Sequence, residues 1–398
     1  MNFSKKQQAI IKDILSSTGT KRKRILGAAG TGKTLIIAHC SKELAKQGKK
    51  VLICYYNKTL QQRYIDLCFN GSHVRLDKFS GYDNINITNY HYFMYHLLNQ
   101  YRRGELEYFR HEEYSDINPK NGYLLENYNG PIKYDYIFVD EMQDITPNAV
   151  SSLIALLELN GKICVFADKN QKLYESNSYE SEDNTSNIVP KTPANKGFLG
   201  RWNRLDEIFR ANNLIQALGD KYREKYLSSY GNEKYVLAGM RGDCEIIYKR
   251  DIRKREDLIY ILKNELRYTN PKNISFLFFS NFQAQEFCDE CSMNNVGYIT
   301  TVDKGKDSFL ISDDRIKVST IKSFKGLDID TVVLVLDDSG KTRTSNTKYE
   351  EIYVGLTRAR KRLIIIDQMQ NSDLSNIYDD PRNRNETVAD EMQDEVLY

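Results

Sequence analysis

No run of apolar residues in this sequence reaches the roughly 18 that a bilayer-spanning helix needs, so no membrane span is expected. The opening Met1-Asn2-Phe3-Ser4-Lys5-Lys6 lacks a secretory pattern. Seven cysteines, scattered and odd in number, do not read as a disulfide framework; they suit reduced thiols, and a cytoplasmic location is the expectation. Cys288 and Cys291 form a lone C-x-x-C with no second pair, and packing or solvent on a helix is a more natural role for them than zinc. Neither sign of charge dominates: 57 Lys and Arg stand against 54 Asp and Glu, a net charge of +3. That excludes a uniform basic coat, so any nucleic acid would have to bind in a local groove. No internal repeat of solenoid type is present.

What is there is globular: 398 residues, 40% hydrophobic and 28% charged, enough for a large core and two domains. The organising stretch is Gly27-Ala28-Ala29-Gly30-Thr31-Gly32-Lys33-Thr34, which reads G-x-x-x-x-G-K-T. Arg24-Ile25-Leu26 ahead of it ends a short apolar strand, and Leu35 to Cys40 behind it is helix-compatible. Strand, glycine loop and helix in that order cradle a phosphate chain. Glycines let backbone N–H groups turn inward, Lys33 places a charge at the β/γ-phosphates, and the Thr34 hydroxyl is suited to Mg²⁺. A nucleoside triphosphate with Mg²⁺ is therefore the expected ligand. A second signal is Tyr134-Asp135-Tyr136-Ile137-Phe138-Val139-Asp140-Glu141, a buried strand that delivers two adjacent carboxylates. Asp140 is suited to the metal and Glu141 to deprotonating the attacking water.

The rest alternates strand and helix. Ser4 before Lys5-Lys6-Gln7 predicts an N-capped helix over 3–16, with Gln7 completing a capping box. Lys21-Arg22-Lys23-Arg24 reads as a solvated basic turn. Strands are expected over 51–56, 85–91, 162–168, 274–280, 315–320, 331–336 and 363–367, and helices over 92–98 and 282–293. The fold class is α/β with parallel sheets. Residues 100–130 read as a turn-rich excursion, and 175–187 as low in apolar content. A first domain is expected over 1–200, a second over 201–372, and a polar acidic tail over 373–398.

In order along the chain these segments resemble the motif set of superfamily 1 helicases of the UvrD/Rep/PcrA type. The resemblance covers residues 3–366 and implies two RecA-like P-loop NTPase domains with ATP in the cleft between them. It implies that Gln7 reads adenine, that Gly27 to Thr34 is motif I, and that Val139-Asp140-Glu141-Met142-Gln143-Asp144 is motif II. Gln171 in Asp168-Lys169-Asn170-Gln171-Lys172-Leu173-Tyr174 would sense the γ-phosphate. In Ile208-Phe209-Arg210, Phe209 would stack on adenine and Arg210 would reach the γ-phosphate. Asp328, in Thr320 to Asp328, would meet the ribose, and Arg358, in Tyr353 to Arg360, would be a second arginine finger. On the single-strand path the resemblance implies Tyr55, Asn57, Lys58, His91, Tyr174, Thr320 and Lys322. Out of that context, Tyr55 or Tyr174 would be an ordinary buried tyrosine and His91 a structural histidine.

The chain departs from the family pattern at particular positions. Ser176 stands where a stacking tryptophan is usual, Lys322 where histidine is usual, and Asn89 where threonine is usual. The family's two large insertions have no counterpart of similar length. Two readings follow. The first is a nearly bare two-domain motor on single-stranded nucleic acid, DNA ahead of RNA (nothing in the sequence reports a 2′-OH contact, so an RNA motor stays open) and 3′→5′, for which translocation is a safer expectation than processive unwinding. The second is an ATP-switched regulatory subunit that docks a partner such as a nuclease in a repair or defence complex.

Overall fold

The computed structural model describes residues 3–69, 84–101, 132–145, 147–168, 202–209, 213–227, 236–237, 244–250, 252, 254–302, 309–337, 345–369, 374 and 377. Gln171, Tyr174, Ser176 and Arg210, with nearly all of the 100–130 excursion and of the tail, lie outside them.

The chain begins with helix α1 (Lys5–Leu15), and the expected cap is present. The Ser4 hydroxyl accepts from the Gln7 backbone N–H, and the Gln7 side chain accepts from the Ser4 N–H. This reciprocal pairing satisfies two of the N–H groups near the helix start that no helical carbonyl reaches. A run of parallel strands follows, interleaved with helices: β1 (Arg22–Gly27), α2 (Lys33–Lys46), β2 (Val51–Tyr55), α3 (Leu60–Phe69), β3 (Ile85–Asn89), α4 (Tyr90–Tyr101), β4 (Tyr134–Val139), α5 (Pro147–Ala155) and β5 (Leu157–Ala167). With β6 (Asn203–Leu205) they make a six-stranded sheet in the order β3-β2-β4-β5-β1-β6. Helices cover both faces, so every residue of β2 is buried and the strand is apolar without alternation.

The second half repeats the plan. After β7 (Glu207–Ile208), α6 (Asn213–Tyr226) and β8 (Val236–Leu237), the elements are β9 (Glu245–Lys249), α7 (Arg255–Glu265), β10 (Ile274–Phe278), α8 (Asn281–Met293), β11 (Tyr298–Thr300), β12 (Ile316–Thr320), β13 (Ile329–Leu336), α9 (Ser345–Leu356) and β14 (Ala359–Asp367). The second six-stranded sheet has the order β11-β12-β10-β13-β14-β9, with every pairing parallel. Two parallel sheets of this kind are the expected pair of RecA-like domains. The first sheet takes its edge strand from residues 203–205, which pair with β1 beyond the expected division at 200.

An apolar cluster runs without a break from α1, α2 and one face of the first sheet, through Leu60, Phe324 and Leu327, to one face of the second sheet. The domains therefore share buried surface at a seam. Cys288 and Cys291 both point into the second domain's own core, and burial raises their thiol pKa values to about 11 and about 12. They are packing residues. Among the described residues no helix is long and apolar enough to cross a membrane.

Phe276, fully buried in β10, stacks on Phe287 of α8 with ring centroids 4.3 Å apart. Truncation there removes the contact that seats α8 on its sheet. Phe276→Ala is expected to cost the second domain about 3–5 kcal/mol, read as a lower midpoint in guanidinium unfolding.

Candidate nucleotide site and interdomain seam

Ligands of a doubly wound sheet bind at the carboxyl ends of its strands. Here β1 ends at the glycine loop, and β5 lies between β1 and β4. The loop therefore sits two strands from the carboxylates that end β4. Gly30 and Gly32 hold φ of +81° and +86°, a region that disfavours any side chain. A Cβ on Gly32 would also come within 2.6 Å of the Gln7 carboxamide. Gln7 donates to the Thr31 carbonyl at 3.0 Å, so one side chain ties the α1 cap to the loop. From another side, the Phe209 backbone N–H donates to the Gly30 carbonyl at 3.0 Å and leaves the ring 38% exposed. The two residues expected at adenine, Gln7 and Phe209, thus converge on the same stretch of loop.

Lys33 is buried and curls back over the loop, donating to the Gly27 carbonyl at 2.9 Å and to the Ala28 carbonyl at 3.1 Å. Thr34, at the N-terminus of α2, donates to Asp140 Oδ2 at 3.0 Å. A hydroxyl and a carboxylate this close, beside a loop built for phosphate, are the hard-oxygen donors Mg²⁺ takes when phosphates complete its shell. Among the described residues no group of three or more His, Cys, Asp and Glu is placed to hold a metal.

The end of β4 is bent. Glu141 sits at φ 51° and ψ 47°, left-handed and costly for a residue with a side chain. Its strain is held by neighbours: the Glu141 N–H donates to Asp140 Oδ1 at 3.0 Å, Gln143 donates to Glu141 Oε2, and Gln143 in turn accepts from the Asp168 N–H at 3.0 Å. Gln143 thereby clamps the ends of β4 and β5 together.

The second domain reaches this point directly. Lys325, between β12 and β13, donates to Asp144 Oδ2 at 2.5 Å and lies 3.7 Å from Glu141 Oε2. Arg358 is fully buried, its guanidinium bonded to the Val354 and Leu327 carbonyls and the Thr357 hydroxyl. Burial lowers its pKa, while Glu141, Asp328 and Asp168 act to hold its charge. Burial opposes charge on Glu141, but Lys325 and Lys33, with the Gln143 hydrogen bond and Arg358, outweigh it and keep that carboxyl below its usual range. Asp140 shifts the other way, raised by burial and by the Glu141 charge beside it.

The loop between β2 and α3 binds the seam further. The Asn57 amide donates to the carbonyls of Ser323 and Lys325 at 3.0 Å each and of Lys322 at 3.4 Å, and the Thr59 hydroxyl donates to the Ser323 carbonyl at 2.8 Å. Arg63 pairs with Asp328. Gly326, at φ +84°, packs so closely on Leu60 that a Cβ would lie 2.7 Å from its methyl carbon.

The residues expected on a single-strand path are only in part where a nucleic acid could reach them. Tyr55 is fully buried and stacks on Tyr64, ring centroids 5.6 Å apart, so its expected base-stacking role is corrected. It is the last residue of a strand covered on both faces; Tyr56, the next residue, is partly exposed and meets His91 edge-on at 5.0 Å. Strand ends are the least legible feature of a sequence, and one residue moved the aromatic from surface to core. Asn57 serves the seam, and its amide is committed to carbonyls. Thr320 is buried, with its hydroxyl bonded to Ser323. Lys322 pairs at 3.1 Å with the buried Glu351 of α9. Lys58 is exposed and His91 half-buried. Asn89 has a local role: its carboxamide oxygen accepts from the N–H groups of His91 and Tyr92 and caps α4, and its nitrogen donates to the Tyr56 carbonyl. Sequence reasoning missed Lys325, Arg63 and Tyr64 as site residues, because each acts through a contact 76 or more residues away in sequence.

If the Asn57 amide holds the seam, its removal is felt on the other domain. Asn57→Ala is expected to cost about 1–3 kcal/mol, the range for stranding buried polar partners. The measurement is backbone hydrogen exchange, faster over 320–327 and unchanged in β10.

Comparison with known families agrees with this geometry. Residues 7–177 match the family described as "AAA domain", and residues 316–366 match the "UvrD-like helicase C-terminal domain"; together they span more than half of the chain. No curated protein matches the sequence. Among solved structures, the chain is similar to the arterivirus nonstructural protein 10 helicase at 13% identity, covering 92% of this chain and 63% of that one with a TM-score of 0.42. It is similar to a complex of that helicase with DNA at 15% identity, covering 92% and 64% with a TM-score of 0.41. The chain thus spans less than two thirds of the length of those helicases. An AAA match leads into a UvrD-like helicase C-terminal match, on two parallel sheets whose motif residues meet at one seam, and these findings are consistent with a UvrD-like helicase of superfamily 1.

Proposed function

We propose that the protein is an ATP-dependent motor on single-stranded nucleic acid, acting on DNA and moving 3′→5′. One observation carries the reading: Lys325 of the second domain pairs with Asp144 and reaches to 3.7 Å from Glu141, the carboxylate at the end of β4 in the first. A site completed by both domains can convert the state of a nucleotide into relative domain position, and that is what a translocating motor requires.

In this reading the loop from Gly27 through Ala28, Ala29, Gly30, Thr31 and Gly32 to Lys33 and Thr34 binds the triphosphate, with Lys33 released from its loop carbonyls to the β/γ-phosphates. Thr34 and Asp140 would hold Mg²⁺, whose charge would offset that of the phosphate oxygens. Glu141, kept ionised by the cations around it, accepts a proton from the attacking water. Arg358, with Gln171 and Arg210 in the roles the resemblance gives them, stabilises the charge that grows on the γ-phosphate. Gln7 and Phe209 hold adenine and Asp328 the ribose, which requires Asp328 to share or give up Arg63. Tyr56, His91 and Lys58 form the first domain's grip on the strand. Stacking on aromatic rings tolerates any sequence and contributes about 1–3 kcal/mol per base. Tyr174 remains a stacking candidate by resemblance, and Lys322 would exchange Glu351 for a backbone phosphate. The 3′→5′ direction rests on the Lys325-Gly326-Leu327 and Val354-Gly355-Leu356-Thr357-Arg358-Ala359 forms of motifs V and VI, and the assignment to DNA rests on the family resemblance alone.

A second reading is favoured by one set of contacts. Asn57, Thr320 and Lys322 are all engaged within the protein, as expected if ATP switches a docking surface for a partner such as a nuclease instead of driving a grip.

ATPase rates measured with single-stranded DNA, duplex and RNA side by side separate the readings. Stimulation by single-stranded DNA supports the motor; a DNA-independent rate in a preparation that retains a nuclease supports the switch. Glu141→Gln is expected to lower turnover on the order of 10²–10⁴-fold, the usual contribution of a general base, with nucleotide binding retained. Turnover that survives the change contradicts the role given to Glu141.

A further inference from the structure

Two neighbouring residues of α3 face opposite ways. Arg63 leaves the first domain and pairs with Asp328 of the second. Tyr64 turns inward and is fully buried. Its hydroxyl donates to Asp140 Oδ2, the same oxygen that accepts from Thr34, and it also interacts with the Thr34 hydroxyl. The ring has little freedom to leave: it lies nearly parallel to Tyr55, at 11° and 5.6 Å, and Tyr55 is fixed as the last residue of a buried strand.

These contacts put a third group on the pair Thr34 and Asp140. Asp140 has two carboxylate oxygens. Oδ1 accepts the Glu141 N–H, and Oδ2 accepts the two hydroxyls. The rotamer of the carboxylate is therefore set from both ends, and Oδ2 faces Thr34. Without the phenol, Oδ2 would keep only the Thr34 hydroxyl, and cation binding would have to order a looser carboxylate. Holding a charged group in its working geometry before the ligand arrives removes that ordering cost from binding. A phenol is a strong enough donor to do this, since hydrogen bonds to an ionised acceptor are shorter and about twice as strong as neutral ones.

The position on α3 adds a connection. The helix starts just after Asn57 and Thr59, both bonded to carbonyls of residues 322–325, and its first turns carry Arg63. A shift of the second domain acts on α3 at its start and at Arg63. Tyr64 is the adjacent residue of a stiff helix, so the same shift moves its hydroxyl relative to Asp140.

We propose that Tyr64 is a positioning residue for the divalent-cation site formed by Thr34 and Asp140, and that Arg63 transmits the state of the domain seam to it through α3. The proposal rests on the reading of the glycine loop as an ATP site that uses Mg²⁺. Tyr64 does not touch the nucleotide; it acts through Asp140.

The test is Mg²⁺ titration of the binding of a fluorescent ADP analogue to the full chain, without turnover. Tyr64→Phe keeps the ring on Tyr55 and removes only the hydroxyl. It is expected to raise the half-saturating Mg²⁺ concentration about tenfold, the size expected for one hydrogen bond to a charged group, with nucleotide affinity in EDTA unchanged. Arg63→Gln, a partly exposed change that leaves the first domain's core intact, is expected to raise it by a smaller factor in the same direction. Loss of nucleotide affinity equally in EDTA and in Mg²⁺ would mark a packing role and overturn the proposal. An unchanged or lower Mg²⁺ requirement in Tyr64→Phe would overturn it too. A raised requirement in Tyr64→Phe with none in Arg63→Gln would overturn the link to the seam. If the wild-type chain binds the analogue without any Mg²⁺ dependence, the ATP–Mg²⁺ reading itself fails and this proposal with it, a result distinct from a wild-type dependence that the variants leave unmoved.

Discussion

The contact on which the rest depends is the ion pair from Lys325 to Asp144, buried to 1% on both sides, with Glu141 just beyond. Bringing these charges out of water is expensive, and a pair of this kind adds little net stability over an apolar contact of the same shape. Its effect lies in what happens when one partner is missing. A lone buried ammonium or carboxylate is costly enough that the two domains must stay together or admit water as they part. The state of the seam is thus written into the charge environment of Glu141, the residue to which the hydrolytic step is assigned.

Around this pair the seam is mostly backbone-directed. Asn57 and Thr59 reach carbonyls of residues 322–325, and Leu60 sits against Gly326, whose positive φ leaves room for it. Contacts to carbonyls carry no charge to be screened, and they fix the segment between β12 and β13 at short range. On the far side of the glycine loop, Gln7 and the Phe209 backbone hold the same few residues. The phosphate loop is therefore gripped by α1 and by the chain that leads into the second domain. Domain movement has two physical routes to it, one through the carboxylates and one through residues 206–209.

Much of this was legible in the sequence, for reasons that can be named. Gly27 to Thr34 and Asp140-Glu141 are local patterns, and local patterns survive folding. The parallel strands could be read from apolar runs such as 51–55 and 331–336, because a strand covered on both faces does not alternate. The Ser4–Gln7 capping box involves residues three apart. What could not be read depends on three-dimensional proximity or on a single residue of register. Tyr55 and Tyr56 have the same side chain, and only the end of β2 decides which faces solvent. Lys322 looked like a free cation because its partner Glu351 lies on α9, after β13. Arg63 and Tyr64 stand in a stretch with no chemical signature, Lys325 in a motif whose signature does not point to it, and each meets a partner delivered by another element.

The central claim is that a buried charge pair across the seam joins the second domain to the carboxylates at the end of β4. The most direct measurement is a double-mutant cycle in equilibrium unfolding with Asp144→Leu and Lys325→Met. Each single change takes from a buried charge its nearest opposite charge, although Lys325 keeps Glu141 at 3.7 Å in Asp144→Leu, and is expected to destabilise by up to about 3–5 kcal/mol. The double variant is expected to recover most of that loss, giving a coupling energy of several kcal/mol by the usual cycle arithmetic. Single losses that simply add in the double variant would contradict the account, since they would mean that the two groups do not depend on each other in the folded protein.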